Sequence, residues 1–156
     1  MSLIVQHIEH ATDDARQLVG ELEAEMAATY SDQQRHGLSV ERIFQPHVMF
    51  FIAYSNGAAV GCGGIAFDDG FAEFKRMYVR PALRGRGIVQ ALLDRLSAEA
   101  RARGYRRLTL ETGDVQHAAM RAYERAGFTR CDAFGDYCGL SREAVERSVF
   151  FEKQIA

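Results

Sequence analysis

The chain has 156 residues, 47% of them hydrophobic and 26% charged, with a net charge of -2. That is the length of one domain able to bury roughly two-thirds of its unfolded surface, and the charge gives no general pull toward nucleic acid or an anionic membrane. No stretch approaches the roughly 18 apolar residues of a membrane span, and Cys62, Cys131 and Cys138 lack the spacing of a metal centre, so no metal is expected.

An odd cysteine count fits a reducing compartment, and the N-terminal residues lack the pattern of an export signal. A cytoplasmic location is therefore expected. Between Ala11 and Tyr30 the apolar positions Ala15, Leu18, Val19, Leu22 and Met26 recur at helical intervals, with Thr12 placed as the cap. This predicts an amphipathic helix on which Glu21, Glu23 and Glu25 read as a solvated face. Residues 49–54 and 58–66 read as strands around Ser55-Asn56-Gly57, whose Asn-Gly pair suits a tight hairpin. Asp68-Asp69-Gly70 repeats that turn chemistry before a strand at 72–79, so an antiparallel meander is expected. Ile88, Leu92, Leu93, Leu96 and Ala100 then line one face of a helix ending near Gly104. Leu108-Thr109-Leu110 is a short strand able to return parallel to the Glu73 strand through a crossover. Met120, Ala122, Tyr123 and Ala126 mark a further helix stopped by Gly127, and residues 128–131 and 148–153 close the sheet as two strands. The pattern is an α/β domain with a mixed sheet, and a ligand belongs at the carboxyl end of its parallel pair. Without a linker, repeat or low-complexity tract, residues 1–156 read as a single domain.

The most informative stretch is Tyr78-Val79-Arg80-Pro81-Ala82-Leu83-Arg84-Gly85-Arg86-Gly87-Ile88-Val89. It runs from a strand through a glycine-punctuated turn into a long helix, a junction suited to phosphate. Gly85 and Gly87 permit positive φ and close backbone approach, and the first amides of the helix have no intrahelical acceptor. Gly87 is followed by Ile88 and Val89 rather than by Lys and a hydroxyl, which excludes the nucleoside-triphosphate loop. Only two of the three glycines of a dinucleotide fingerprint are present. What remains resembles the acyl-CoA motif of the GCN5-related N-acetyltransferase (GNAT) superfamily, (Gln/Arg)-x-x-Gly-x-(Gly/Ala), matched by Arg84 and Gly87 and departed from at Val89. The resemblance extends from about Phe50 to Lys153: residues 72–79 are similar to the family's fourth strand, 108–113 to its fifth, and Ala122-Tyr123-Glu124-Arg125-Ala126-Gly127-Phe128 to its tyrosine-bearing helix and Gly-Phe turn.

This resemblance implies a mostly antiparallel central sheet with a parallel central pair, flanked by helices. It also implies acetyl-CoA as co-substrate and direct transfer of its acetyl group to a primary amine of a small molecule or peptide. Such an amine, with a pKa near 10.4, is protonated at neutral pH, so a carboxylate near the thioester is needed to take the proton. Glu73 and Glu111 are the candidates, Glu73 first because alternation sets it on the side of Lys75, Met77 and Val79. Glu111 reads rather as an ion-pair or hydrogen-bonding partner at the cleft floor.

Tyr123 falls where relatives carry the tyrosine that protonates the departing sulfur. Met77, Tyr78 and Val79 are expected to pair with the pantetheine arm as an added strand. Arg84, Gly85, Arg86, Gly87, Ile88 and Val89 are expected to hold the pyrophosphate, and Gln116 sits where relatives often place an amide contact. The amine would enter near Glu23, Met26, Tyr30 and residues 134–137, with His36 and His47 as further candidates for the mouth. The resemblance leaves a homodimer open. Two other classes compete. Lys75, Arg76, Arg80, Arg84 and Arg86 could form a nucleic-acid module, disfavoured by sparse aromatics and a slightly acidic chain. A catalytically silent acyl-CoA sensor or partner-binding domain would keep the glycine turn without needing Tyr123.

Overall fold

The structure, a computed structural model, describes residues 2–156. In chain order the elements are β1 (Leu3–Ile8), α1 (Asp13–Ala27), α2 (Val40–Ile43), β2 (Val48–Ser55), β3 (Ala58–Phe67), β4 (Ala72–Val79), α3 (Ile88–Ala102), β5 (Arg107–Gly113), α4 (His117–Arg125), β6 (Thr129–Cys131), α5 (Arg142–Val145) and β7 (Ser148–Gln154). The seven strands form one sheet in the order β1-β2-β3-β4-β5-β7-β6. Every neighbouring pair is antiparallel except β4 and β5. Among the described residues no helix is long and apolar enough to cross a membrane.

Local chemistry explains most of these elements. Thr12 Oγ1 accepts the Ala15 amide at 3.1 Å and starts α1, whose Ala15, Leu18 and Val19 face inward. Asn56 and Gly57 both adopt positive φ in the β2–β3 hairpin. Two apolar layers then cover the sheet. On one face α3 and α4 contribute Ile88, Leu92, Leu96 and Tyr123, packed with Phe74, Leu110 and Phe151. On the other, Leu18, Val19 and Leu22 of α1 pack on Phe50, Ile52 and Tyr78. Each large apolar side chain so buried contributes about 1.5–3 kcal/mol before the entropy of ordering it is charged. β1 has no signature in the sequence pattern. Its polar Gln6 and His7 interrupt the apolar run and Ile4 is exposed, so the strand is recognised only by its pairing with β2.

Two irregularities of β4 shape the site. Cys62 pairs with Tyr78 and Gly64 with Lys75, so Arg76 and Met77 together oppose the single residue Gly63. This is a β-bulge, with Arg76 at φ 54. It corrects the alternation expected from sequence: Glu73 and Lys75 do share a face, but Met77 and Val79 turn to the α3 layer while Tyr78 joins the α1 layer. Second, β4 and β5 pair only over Ala72–Phe74 and Leu108–Leu110, although β4 continues to Val79 and β5 to Gly113. Past that point the strands part into a wedge, at the carboxyl end of the parallel pair.

Candidate active site

Two cavities meet in this wedge. The larger, about 660 Å³, lies over the free half of β4 and the start of α3. The smaller, about 120 Å³, lies between α1, β4, β5 and the 3-10 turn Gly135–Gly139. Leu22, Met77, Gln116, Ala119 and Tyr123 line both, so together they form one passage with a junction at Tyr123.

Met77, Tyr78, Val79, Arg84, Gly85, Gly87, Ile88, Val89, Gln116 and Tyr123 all line the larger cavity. Gly85 and Gly87 have φ near 80°, and a Cβ on either would meet nothing within 4 Å. The backbone there is therefore open to an approaching group. α3 begins at Gly87 without a side-chain cap, which leaves its first amides free at the positive end of a 15-residue helix. Val89, the departure from the motif, packs partly into the apolar layer beside α3. Arg86 is exposed between the two glycines and lines neither cavity.

Glu73, Glu111 and Tyr123 line the smaller cavity, as do Glu23, Met26, Tyr30, His36 and Tyr137. His47 does not; it lies in the turn before β2. Glu73 is buried, accepts a hydrogen bond of 2.6 Å from the Tyr137 hydroxyl and pairs with the Lys75 ammonium at 3.2 Å. The same ammonium lies 3.4 Å from the Tyr137 oxygen. Burial, and then the negative charge of Glu73, hold the Tyr137 phenol far above its ordinary pKa, so it stays a donor. Glu111 accepts 2.6 Å from Ser148 Oγ. Burial pushes its pKa up, against the lowering by Ser148 and by nearby His36 and Lys75. Burial likewise raises the Tyr123 phenol, helped by Glu111.

The glutamates of α1 are not a solvated face. Glu21 pairs with Arg80, Glu25 with Arg84, and Glu23 with both Arg35 and Arg76. Four of the five cations in the sequence's basic cluster thus already face a carboxylate, Lys75 facing Glu73. A surface that tracks a phosphate backbone would leave those charges free. Tyr137 is the site residue that sequence reasoning placed only within a broad segment. Its signal, a tyrosine in the aromatic and glycine-rich run Phe134-Gly135-Asp136-Tyr137, gives no hint of the contact with Glu73, 64 residues away.

Comparison with known proteins agrees with this architecture. The chain is 39% identical over 127 residues to an IAA acetyltransferase of Azospirillum brasilense, covering 80% of this chain and 83% of that protein. Its fold matches that of a Klebsiella pneumoniae protein described as an acyl-CoA N-acyltransferase, with a TM-score of 0.79, 33% identity and coverage of 99% and 98%. It also matches the fold of an N-acetyltransferase of Thermoplasma acidophilum solved in complex with coenzyme A, at a TM-score of 0.75, 17% identity and coverage of 99% and 100%. The sequence model of the acetyltransferase (GNAT) family matches residues 8–128. The chain belongs to that family and is an acetyltransferase.

Proposed function

We propose that this protein transfers an acetyl group from acetyl-CoA to a primary amine of a small molecule or peptide, directly between two bound substrates. The observation that carries this reading is the junction of the two cavities at Tyr123, with buried carboxylates on one side and a bare helix N-terminus on the other. The residues of the larger cavity suit coenzyme A. The free edge of β4 offers main-chain groups at Met77, Tyr78 and Val79 to a pantetheine arm as a neighbouring strand would. The open backbone of Gly85, Gly87, Ile88 and Val89 suits the pyrophosphate, beside Arg84, whose charge is matched by Glu25, and Gln116 offers an amide at the junction.

Acetyl-CoA supplies an activated acyl carbon and a thiolate leaving group. Glu73 takes the first proton from the acceptor's ammonium, held in place by Tyr137 and Lys75. Glu111, further from a charged partner and bonded to Ser148, supports the floor of the cavity and the donor state of Tyr123. As the N–C bond forms and the C–S bond breaks, the second nitrogen proton leaves with the sulfur. Tyr123 donates a hydrogen bond to that sulfur. Its raised pKa decides between donating a bond and losing the proton, since a thiol near 8.5 is far the stronger acid. Direct transfer is favoured because, among the described residues, none of the three cysteines lines either cavity, and the buried Cys62 thiol is pushed up to about 12.

Titration calorimetry with acetyl-CoA, followed by a thiol-release assay across a panel of primary amines, tests the proposal. Micromolar binding and amine-dependent thiol release are expected. Binding without release under any amine would assign the chain to the silent-sensor class, and no binding would remove the coenzyme site.

A further inference from the structure

Building on the proposed amine acetylation, we infer that the acceptor carries a carboxylate, and that Arg76 and Arg35 receive it. Three observations converge on the part of the small cavity that the larger one does not share. First, the Arg76 side chain is 6% exposed, yet its Nε–H is buried without a hydrogen-bond partner. Among the described residues it is the one side-chain donor or acceptor in that condition. A buried, charged donor left open is costly, and such a group is retained where something else completes it. The residue also sits at positive φ on the bulge, a strained conformation of the kind found at binding sites.

Second, two arginines of this corner share one carboxylate. The single carboxylate of Glu23 serves both guanidinium groups, at 3.3 Å from Arg35 and in close contact with Arg76. The other partner of Arg35, Asp32, is 95% exposed and screened by water. Lys75 is already matched by Glu73. Glu111, across the cavity, is bonded to Ser148 rather than to these groups, so two planar forks that each suit a carboxylate share the one partly buried carboxylate that reaches them. Third, the 3-10 and loop segment ahead of α2 is shaped around Arg76. A Cβ on Gly37 would fall 1.4 Å from Arg76 Nη1, so a larger residue there would have to push the guanidinium aside from its present place.

The cavity is thus bipolar. Glu73 and Glu111 face the amine end, and the two arginines offer a carboxylate site within a space of about 120 Å³. A cavity of about 150 Å³ holds benzene, so the enclosed part fits a compact zwitterion such as a small amino acid. A polycation would bring further positive charge against Arg35 and Arg76.

The test compares matched acceptors in the thiol-release assay with the full chain: glycine against glycinamide, alanine against alaninamide, β-alanine against its amide. The amides have the less basic amines, so protonation alone favours them. The acids are expected to show kcat/KM about 10-fold to 100-fold higher, the worth of a charge-assisted hydrogen bond. In Arg76→Gln that ratio should collapse toward one through KM, with acetyl-CoA affinity by calorimetry reporting that the coenzyme half of the site is intact. Should Arg76→Gln fail to fold, Arg35→Gln carries the same expectation. Equal or better turnover of the amides by the unmodified protein overturns the inference and leaves amine acetylation standing. Acetyl-CoA binding without thiol release from either series overturns the inference, and absence of release across the wider amine panel as well overturns amine acetylation.

Discussion

Replacing Glu73 by Gln keeps the shape of the side chain and removes its charge. At pH 7 an alkylamine of pKa about 10.4 is neutral in roughly one molecule in 2,500, equivalent to about 4.6 kcal/mol. Glu73 is held by Tyr137 at 2.6 Å and Lys75 at 3.2 Å, so in the proposed role little reorganisation would precede proton transfer. Losing a general base of this kind lowers turnover about 10²-fold to 10⁴-fold, or about 2.7–5.4 kcal/mol of transition-state stabilisation. The residual rate should then rise about tenfold per pH unit, because the neutral amine comes from solvent equilibrium alone. Stability also responds. Breaking a buried pair costs about 3–5 kcal/mol, and the Gln oxygen still accepts from Tyr137 and Lys75, which argues for the lower end. For a chain of this size, about 3 kcal/mol corresponds to a fall in Tm of about 6–12 °C. Thiol release measured from pH 6 to 9, with scanning calorimetry on the same preparations, gives both numbers. Turnover within about threefold of the parent, with a superimposable pH profile, would refute Glu73 as the base.

The Tyr123→Phe variant should lose about tenfold in kcat, the lower end of a hydrogen bond to a charged group, with acetyl-CoA affinity unchanged by calorimetry; full turnover would make the hydroxyl idle. Gly87→Glu places a carboxylate where phosphate approaches and a side chain at φ 83. Like-charge juxtaposition of several kcal/mol should weaken acetyl-CoA binding at least 100-fold, while the left-handed backbone adds about 1–2 kcal/mol of strain that a urea midpoint reads separately. For Glu111→Gln the sign follows from burial, which raises the folded pKa above the unfolded value. The parent's contribution from Glu111 is complete below about pH 4.3 and is lost as pH rises through the folded pKa, so the variant should gain relative stability across that window. Urea unfolding at steps from pH 4 to 8 would show it; parallel curves would contradict it. A Cβ at Gly61 would lie 2.7 Å from the Tyr78 carbonyl oxygen, so Gly61→Ala should cost about 1–3 kcal/mol, read as a lower urea midpoint.

Much of this architecture is written locally. Thr12 caps α1, Asn56-Gly57 turns the hairpin, and the Ile88, Leu92, Leu96 spacing sets the buried face of α3. The glycine turn and the tyrosine helix carry enough order to place the larger cavity. The rest depends on distant partners. Glu23 meets Arg76 across 53 residues and Glu73 meets Tyr137 across 64, contacts that no periodicity encodes. Glu21, Glu23 and Glu25 look like an ordinary solvated row because nothing nearby in sequence announces their arginines. The bulge is hidden for another reason. Positive φ is signalled by Gly, Asn or Asp, and Arg76 is none of these.

The extra residue in β4 acts as a switch of sides along one ribbon. Upstream of it, positions 73 and 75 look into the chamber where an acceptor would lie; downstream, Met77 and Val79 anchor in the layer beneath α3. Substitution at the first two positions therefore acts on the chamber and leaves in place the packing of Met77 and Val79 on the other face. Shortening the strand by that one residue would reverse every later side chain, setting Tyr78 against α3 and tipping Met77 toward α1.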